Sequence, residues 1–287
     1  MVVGRYGRDM AARPVPEDRP ALGTGGADAL APVRERFATS TRLWGGPAAR
    51  HVVEPGYWHT LSGSASIDYN VAGVHDPDEA ACARAAAAIE QERVPGLVMV
   101  AGPALGGVAA LIEAGWSPIS AVPFMVAALD DHAAAVAADP AVRRLGAEHA
   151  RPLRSLVAET FSTGEESARV AVPDEALRPP GAARHHASPA RYDAFGLVSQ
   201  GELVSAVLAS SVGETTCLWA MATAPRAQRQ GHGQRLLASV LAEARRAGAT
   251  RALLLASAAG RRLYAAAGFE VLEYWQVWSK RRWAVLC

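Results

Sequence analysis

At 287 residues, half of them apolar and 20% charged, the chain is long enough for one large or two medium domains around a real core. That composition excludes a disordered or fibrous protein, and a net charge of +1 excludes a bulk electrostatic pull toward nucleic acid or anionic membrane. Cys82, Cys217 and Cys287 are odd in number, far apart and in no CxxC or Cys/His metal spacing, so no disulfide framework and no metal are expected, and a reducing, cytoplasmic setting is.

Residues 1–30 are rich in Arg, Pro, Gly and Ala but lack an apolar h-region, so a poorly ordered tail is expected and a secretory signal is not. Residues 31–50 read as irregular or a short helix. Alternation over 57–61 and 67–74, with Ser62-Gly63-Ser64 between, predicts two hairpin strands. Asp76-Pro77-Asp78 predicts a cap with proline in the first turn of an alanine-rich helix to about residue 92. Residues 97–101 predict a buried strand and 105–114 a helix stopped by Gly115. A closing strand over 116–129 is interrupted by Pro118 and Pro123. From 94 to 112 there is no charge, a length that can span a bilayer. Pro95, Gly102-Pro103 and Gly106-Gly107 cut it into strand and short-helix pieces, so a buried α/β core is expected there and a membrane span is not.

A second unit starts near Val142, with a helix over 151–161, a turn at Ser162-Thr163-Gly164 and a helical continuation over 165–170. Residues 173–190 form a long surface loop holding His185-His186, which read as a solvated pair. Strands follow over 192–199, 203–210 and 214–222. Next comes Arg229-Gln230-Gly231-His232-Gly233-Gln234, opening an amphipathic helix whose Leu236, Leu237, Val240, Leu241 and Ala244 share one face. Glycines bare of Cβ, together with the unpaired N–H groups and positive dipole end of a helix start, make an anion site suited to a pyrophosphate. A strand over 251–256, a helix over 258–267 ended by Gly268, and a final strand over 269–279 close the chain. The two halves share this order, and Leu111-Ile112-Glu113-Ala114-Gly115-Trp116 parallels Tyr264-Ala265-Ala266-Ala267-Gly268-Phe269, a weak internal duplication. Only the second half has the glycine loop.

These residues carry a family resemblance. Met221-Ala222-Thr223-Ala224-Pro225 followed by Gln228-Arg229-Gln230-Gly231-His232-Gly233 resembles the acyl-CoA-binding signature of the GNAT superfamily of N-acyltransferases. Leu263-Tyr264 followed by Gly268-Phe269 resembles its second hallmark. The match spans about residues 142–280, and the first half is similar, through layout, to the degenerate N-terminal half of tandem GNAT proteins. The resemblance implies an α/β (α+β) fold of two GNAT-like halves with mixed, mostly antiparallel sheets flanked by helices. The degenerate half would cover 31–135 and the catalytic half 141–287.

The resemblance also implies acetyl-CoA as co-substrate, with no metal. Met221, Ala222 and Thr223 match the strand whose backbone pairs with the pantetheine arm and orients the acyl carbonyl. Arg229, Gln230, Gly231, His232, Gly233 and Gln234 match the loop that wraps the pyrophosphate. Ser257 stands where many members have an asparagine, and Tyr264 matches the tyrosine that protonates the departing thiolate, a role a positioned phenol can fill. The implied reaction is direct attack by a primary amine of a small molecule or peptide. Its alternatives are another acyl thioester and a CoA-binding pseudo-enzyme or interaction module. No nucleic-acid or membrane partner is expected, and the chain is compatible with a homodimer. Cys217 and Ala252 occupy the positions where members often place a glutamate base, so the base is unassigned. Cys217 reads as a core residue rather than an acyl-carrying nucleophile. Glu159, Glu165 and Glu166 read as solvated helix ends, with attraction of a cationic amine as their sharper role. Trp275, Trp278 and Trp283 read as packing residues.

Overall fold

Residues 29–283, apart from 45, 47 and 180–190, are described in the computed structural model. Most of the expected tail, the His185-His186 pair and Cys287 therefore lie outside the described residues. In chain order the first half runs α1 (Ala31–Ser40), β1 (Arg50–Glu54), β2 (Tyr57–Leu61), β3 (Asn70–Val74), α2 (Glu79–Gln91), β4 (Leu97–Val100), α3 (Ala109–Glu113) and β5 (Trp116–Ala128). After α4 (Asp131–Ala134), the second half runs β6 (Val142–Arg144), α5 (Ala150–Phe161), α6 (Glu165–Ala171), β7 (Arg191–Ser199), β8 (Glu202–Val212), β9 (Thr215–Thr223), α7 (His232–Arg246), β10 (Arg251–Leu255), α8 (Arg261–Ala266) and β11 (Glu270–Lys280).

Local chemistry explains most of these elements. The α7 periodicity buries Leu236, Leu237, Val240 and Leu241, as the sequence predicts, with Ala244 packed at the edge of the core. The α2 cap is Asp78, whose carboxylate accepts the Ala80 N–H at 2.9 Å. Pro77 therefore precedes the helix instead of lying in its first turn, because the extended backbone at Asp78 is what lets its side chain reach back. The predicted helix over 258–267 shortens to α8, with a turn before it. The uncharged stretch resolves into β4, a 3-10 turn and α3, and among the described residues no helix is long and apolar enough to cross a membrane. β5 is not interrupted by its prolines. β10 pairs only with Phe124 to Ala128, so Pro118 and Pro123 sit where that flank has no ladder bond to lose, and the pairing with β11 shifts register beside Pro118.

All the described strands join one mixed sheet in the order β1-β2-β3-β4-β11-β5-β10-β9-β8-β7-β6. Only β3–β4 and β9–β10 are parallel, and each pair flanks a long helix, α2 or α7. Each half then repeats a short helix, a left-handed glycine (Gly115, φ +77°; Gly268, φ +85°), an aromatic residue and a closing strand. Those closing strands are exchanged. β11 inserts beside β4 of the first half and β5 beside β10 of the second, so the two halves share one sheet.

The core is continuous across that exchange. Phe37 of α1 lies 6.3 Å from Trp58, 5.1 Å from Phe124, 5.1 Å from Trp219 and 5.7 Å from Trp275, four rings drawn from both halves. Each such pair contributes about 0.5–1.5 kcal/mol beyond its area burial. Three residues before Phe37, the 2% exposed Arg34 makes a two-pronged bond to Glu273 of β11, at 2.7 Å on each prong. The Trp275 indole donates to the same carboxylate at 2.6 Å. Removing the carboxylate deletes both charge-assisted bonds to Arg34 and the one from Trp275, so Glu273→Ala is expected to cost about 1.5–3 kcal/mol. Urea unfolding reads this directly, and a loss below about 1 kcal/mol would mean that the pair behaves as an exposed bridge.

Candidate active site

The two parallel strand pairs differ in one respect that decides where a ligand can go. β3 and β4 stay paired from Val71↔Leu97 to Val74↔Val100. β9 and β10 pair only through Arg251↔Thr215, Ala252↔Thr216 and Leu253↔Cys217, then part. The parting leaves a cleft of about 720 Å³ that runs from the start of α7 to Tyr264.

One end of the cleft is the loop before α7. Arg229 (φ +63°) and Gly231 (φ +79°) are both left-handed, and this winding turns successive N–H groups toward one side, a geometry that cradles anions. Gly231 is the N-cap of α7 and offers no side chain, so the first N–H groups of this 15-residue helix are uncapped. A Cβ on Gly233 would meet Thr223, Leu263 and Met221 at 3.4–3.5 Å, which shows how closely the helix start approaches β9. Arg229 is exposed and, among the described residues, forms no ion pair. The matching turn of the first half is filled by its own acid groups. Asp78 caps α2, the Asp76 carboxylate accepts the Asp78 N–H at 3.2 Å, and Asp76 packs so tightly on Gly56 that a Cβ there would lie 2.2 Å away. With its own carboxylates at that helix start, the turn is not open to an anion as the α7 start is.

The other end is built on a bulge in β9. The register with β8 slips between Ala206 and Leu208, and Ala220 takes φ +47°. This turns the backbone of Ala220 and Met221 out of the ladder and into the cleft wall. Ala222 and Thr223 are still paired, with Ala206 and Ser205. The Ala222 carbonyl accepts Ser205 Oγ at 3.0 Å, and the Thr223 carbonyl accepts Gln228 Nε2 at 3.2 Å. Tyr264 faces the bulge from α8. Its ring lies against Phe269 at 5.8 Å and over Gly260, where a Cβ would meet the ring at 2.9 Å. Burial pushes the phenol well above its usual pKa, so it carries its proton across the neutral range. Ser257 accepts the Gly260 N–H at 3.2 Å and so fastens the turn that leads into α8.

Of the sequence-predicted residues, Met221, Thr223, Arg229, Gly231, His232, Gly233, Gln234, Ser257 and Tyr264 line this one cleft. Ala222 and Gln230 do not. Ala222 is 1% exposed and turned into the core, and Gln230 donates to the Arg226 carbonyl at 3.0 Å. His232 lines the cleft, and its Nδ1 is buried with no hydrogen-bond partner among the described residues. Sequence reasoning passed over Gln228 as a site residue although it opens the quoted motif. It also passed over Thr160, Phe161 and Ser162, which the end of α5 brings to the opposite wall with no local signal. Cys217 and Ala252 are fully buried and touch no part of the cleft. Burial also pushes the Cys217 thiol up to about 12, which rules out a thiolate nucleophile near neutrality. Glu159, Glu165 and Glu166 stay outside the cleft lining. Trp275, Trp278 and Trp283 are packed, Trp283 edge-on to Trp116 at 5.6 Å. Among the described residues no three His, Cys, Asp or Glu side chains gather as a metal site.

Residues 153–269, the part of the chain that forms this cleft, match the family model of the GNAT acetyltransferases. That match lies within the second half of the chain. Comparison with curated proteins finds no match. Among solved structures, a GCN5-related N-acetyltransferase from Kribbella flavida is similar at 19% identity and TM-score 0.60, over 86% of this chain and 95% of that one. A second from Sphaerobacter thermophilus is similar at 15% identity and TM-score 0.53, over 82% and 81%. A tandem GNAT protein from the clavulanic acid pathway is similar at 16% identity and TM-score 0.52, over 81% and 83%. At these identities the likeness is one of fold, and it extends across both halves of the chain.

Proposed function

We propose that the chain is an N-acetyltransferase that moves the acetyl group of acetyl-CoA to a primary amine of a small molecule or peptide. One observation carries the reading: a single cleft joins an uncapped helix start, suited to a pyrophosphate, to a strand bulge faced by a protonated tyrosine. Residues 141–287 would do the chemistry and residues 31–135 would act as scaffold. The buried free thiols Cys82 and Cys217 fit a reducing setting, and the cytoplasm is the proposed one.

Acetyl-CoA would supply an activated thioester carbonyl. Arg229, Gly231 and Gly233 would hold the pyrophosphate by backbone N–H groups, and the exposed β9 backbone would align the pantetheine arm. The N–H groups of the bulge at Ala220–Met221, rather than those of paired Ala222 and Thr223, would polarise the carbonyl as charge builds on its oxygen. The amine nitrogen attacks, a C–N bond forms and the C–S bond breaks. Tyr264 gives its proton to the leaving sulfur and regains one derived from the acceptor. No carboxylate lines the reaction end among the described residues, so the amine would arrive neutral or lose its proton through water. That uncharged lining also favours a second reading, a CoA-binding module without turnover.

Thiol release from acetyl-CoA over a panel of alkyl amines, amino acids and short peptides separates the two readings. Turnover on at least one amine, with one CoA bound per chain by calorimetry, is the expected result. Tight binding with no turnover on any acceptor would select the second reading. Two bound molecules per chain would contradict the self-capped start of α2.

A further inference from the structure

Next to the 720 Å³ cleft lies a second, much smaller space of about 40 Å³, lined in part by Leu218, Trp219, Ala220 and Leu255. Trp219 is the bulkiest of these walls, and contacts from outside its own strand fix it in place. Its indole Nε1 donates to Ser210 Oγ of β8 at 2.7 Å. Its ring lies 5.1 Å from Phe37 and 5.5 Å from Trp44, tilted by 38° and 32°. Both neighbours belong to the first half of the chain, and Phe37 is itself wedged among Trp58, Phe124 and Trp275. A 5% exposed indole held in this way cannot swing aside without leaving its N–H unpaired and opening a void in a close-packed core.

We propose that Trp219 sets the length of acyl chain the cleft accepts, with Phe37 and Ser210 as positioning residues that hold its ring as the end wall. This rests on the acyl-CoA reading above. Tyr264, Met221 and Ser257 line both the wide and the narrow space, so a sulfur beside Tyr264 directs its acyl group into the narrow one. A space of about 40 Å³ exceeds the roughly 10–15 Å³ that one water needs and suits a short acyl group such as acetyl. Each added methylene has to push against a wall that does not yield. The first half of the chain thereby acquires a part in substrate choice, because α1 supplies the ring that backs Trp219.

The test needs no acceptor. Binding of S-ethyl-CoA and S-hexyl-CoA, thioethers that cannot transfer their chains, is measured by calorimetry on the full chain. The wild type is expected to hold the hexyl compound at least about tenfold more weakly than the ethyl one. Trp219→Ala should bring the ratio close to one, with Phe37→Leu and Ser210→Ala in between. A merely loosened fold would weaken both compounds together and leave the ratio unmoved. Trp219→Leu replaces the alanine variant if that one does not fold. Equal binding of the two thioethers by the wild type, or an unchanged ratio in the Trp219 variants, overturns the proposal. If CoA itself fails to bind, the acyl-CoA reading falls with it, whereas CoA binding without length discrimination sinks this inference alone.

Discussion

Tyr264→Phe is expected to lower kcat by about 10²–10⁴-fold, the range for loss of a positioned general acid, while leaving KM for acetyl-CoA nearly unchanged. The ring contacts with Phe269 and Gly260 survive the change, so the thermal midpoint should stay where it is. The pH profile is a second readout. Burial raises the Tyr264 phenol above its ordinary value, so the donating form persists past the pH at which an exposed tyrosine ionises. The wild-type rate should therefore climb with pH as the acceptor amine loses its proton, with no descending limb from Tyr264 in the mildly alkaline range. A phenylalanine variant with wild-type kcat would remove Tyr264 from the chemistry. A descending limb near an ordinary tyrosine pKa that vanishes in that variant would instead show the phenol to be solvated.

Gly231→Val is expected to weaken CoA binding by at least about 100-fold, the loss of about two charge-assisted hydrogen bonds from backbone N–H groups to phosphate. The cause is conformational. Gly231 sits at φ +79° with open space where a Cβ would be, so a side chain meets no clash. Valine avoids that region of backbone space, and the loop would have to unwind, turning its N–H groups away. Gly231 is exposed and lies outside the core cluster, so circular dichroism should match the wild type, while the unfolding midpoint falls in step with a local strain of about 1–3 kcal/mol. Calorimetric titration with CoA decides the matter. Unchanged affinity would mean that the phosphates bind elsewhere.

Much of the site was legible because it is local. Two glycines one residue apart at a helix start, and a tyrosine ahead of a Gly-Phe pair, encode a turn, a set of free N–H groups and a ring position within short stretches of chain. The prolines of β5 misled for the opposite reason. Their cost depends on whether a neighbouring strand needs their missing N–H, and β10 stops at Leu255, opposite Phe124. Ala222 likewise looked like part of the binding strand, yet the slip at Ala220 moves the free backbone to Ala220 and Met221 and leaves Ala222 in the core. Alternation along a strand predicts facing only while the register holds, and a bulge breaks it.

By itself the sequence determined the order of elements, the repeated layout, the glycine loop and the tyrosine, each written in spacing, periodicity and backbone preference over a few turns of chain. Tertiary structure alone decided the rest. It exchanged β5 and β11 between the halves and joined Arg34 to Glu273 across 239 residues. It kept β3 and β4 closed while β9 and β10 part, and it placed Phe37 behind Trp219. Such pairings depend on which distant surfaces fit together, and no short stretch of sequence carries that information, because each partner alone looks like any other buried ring, charge or strand.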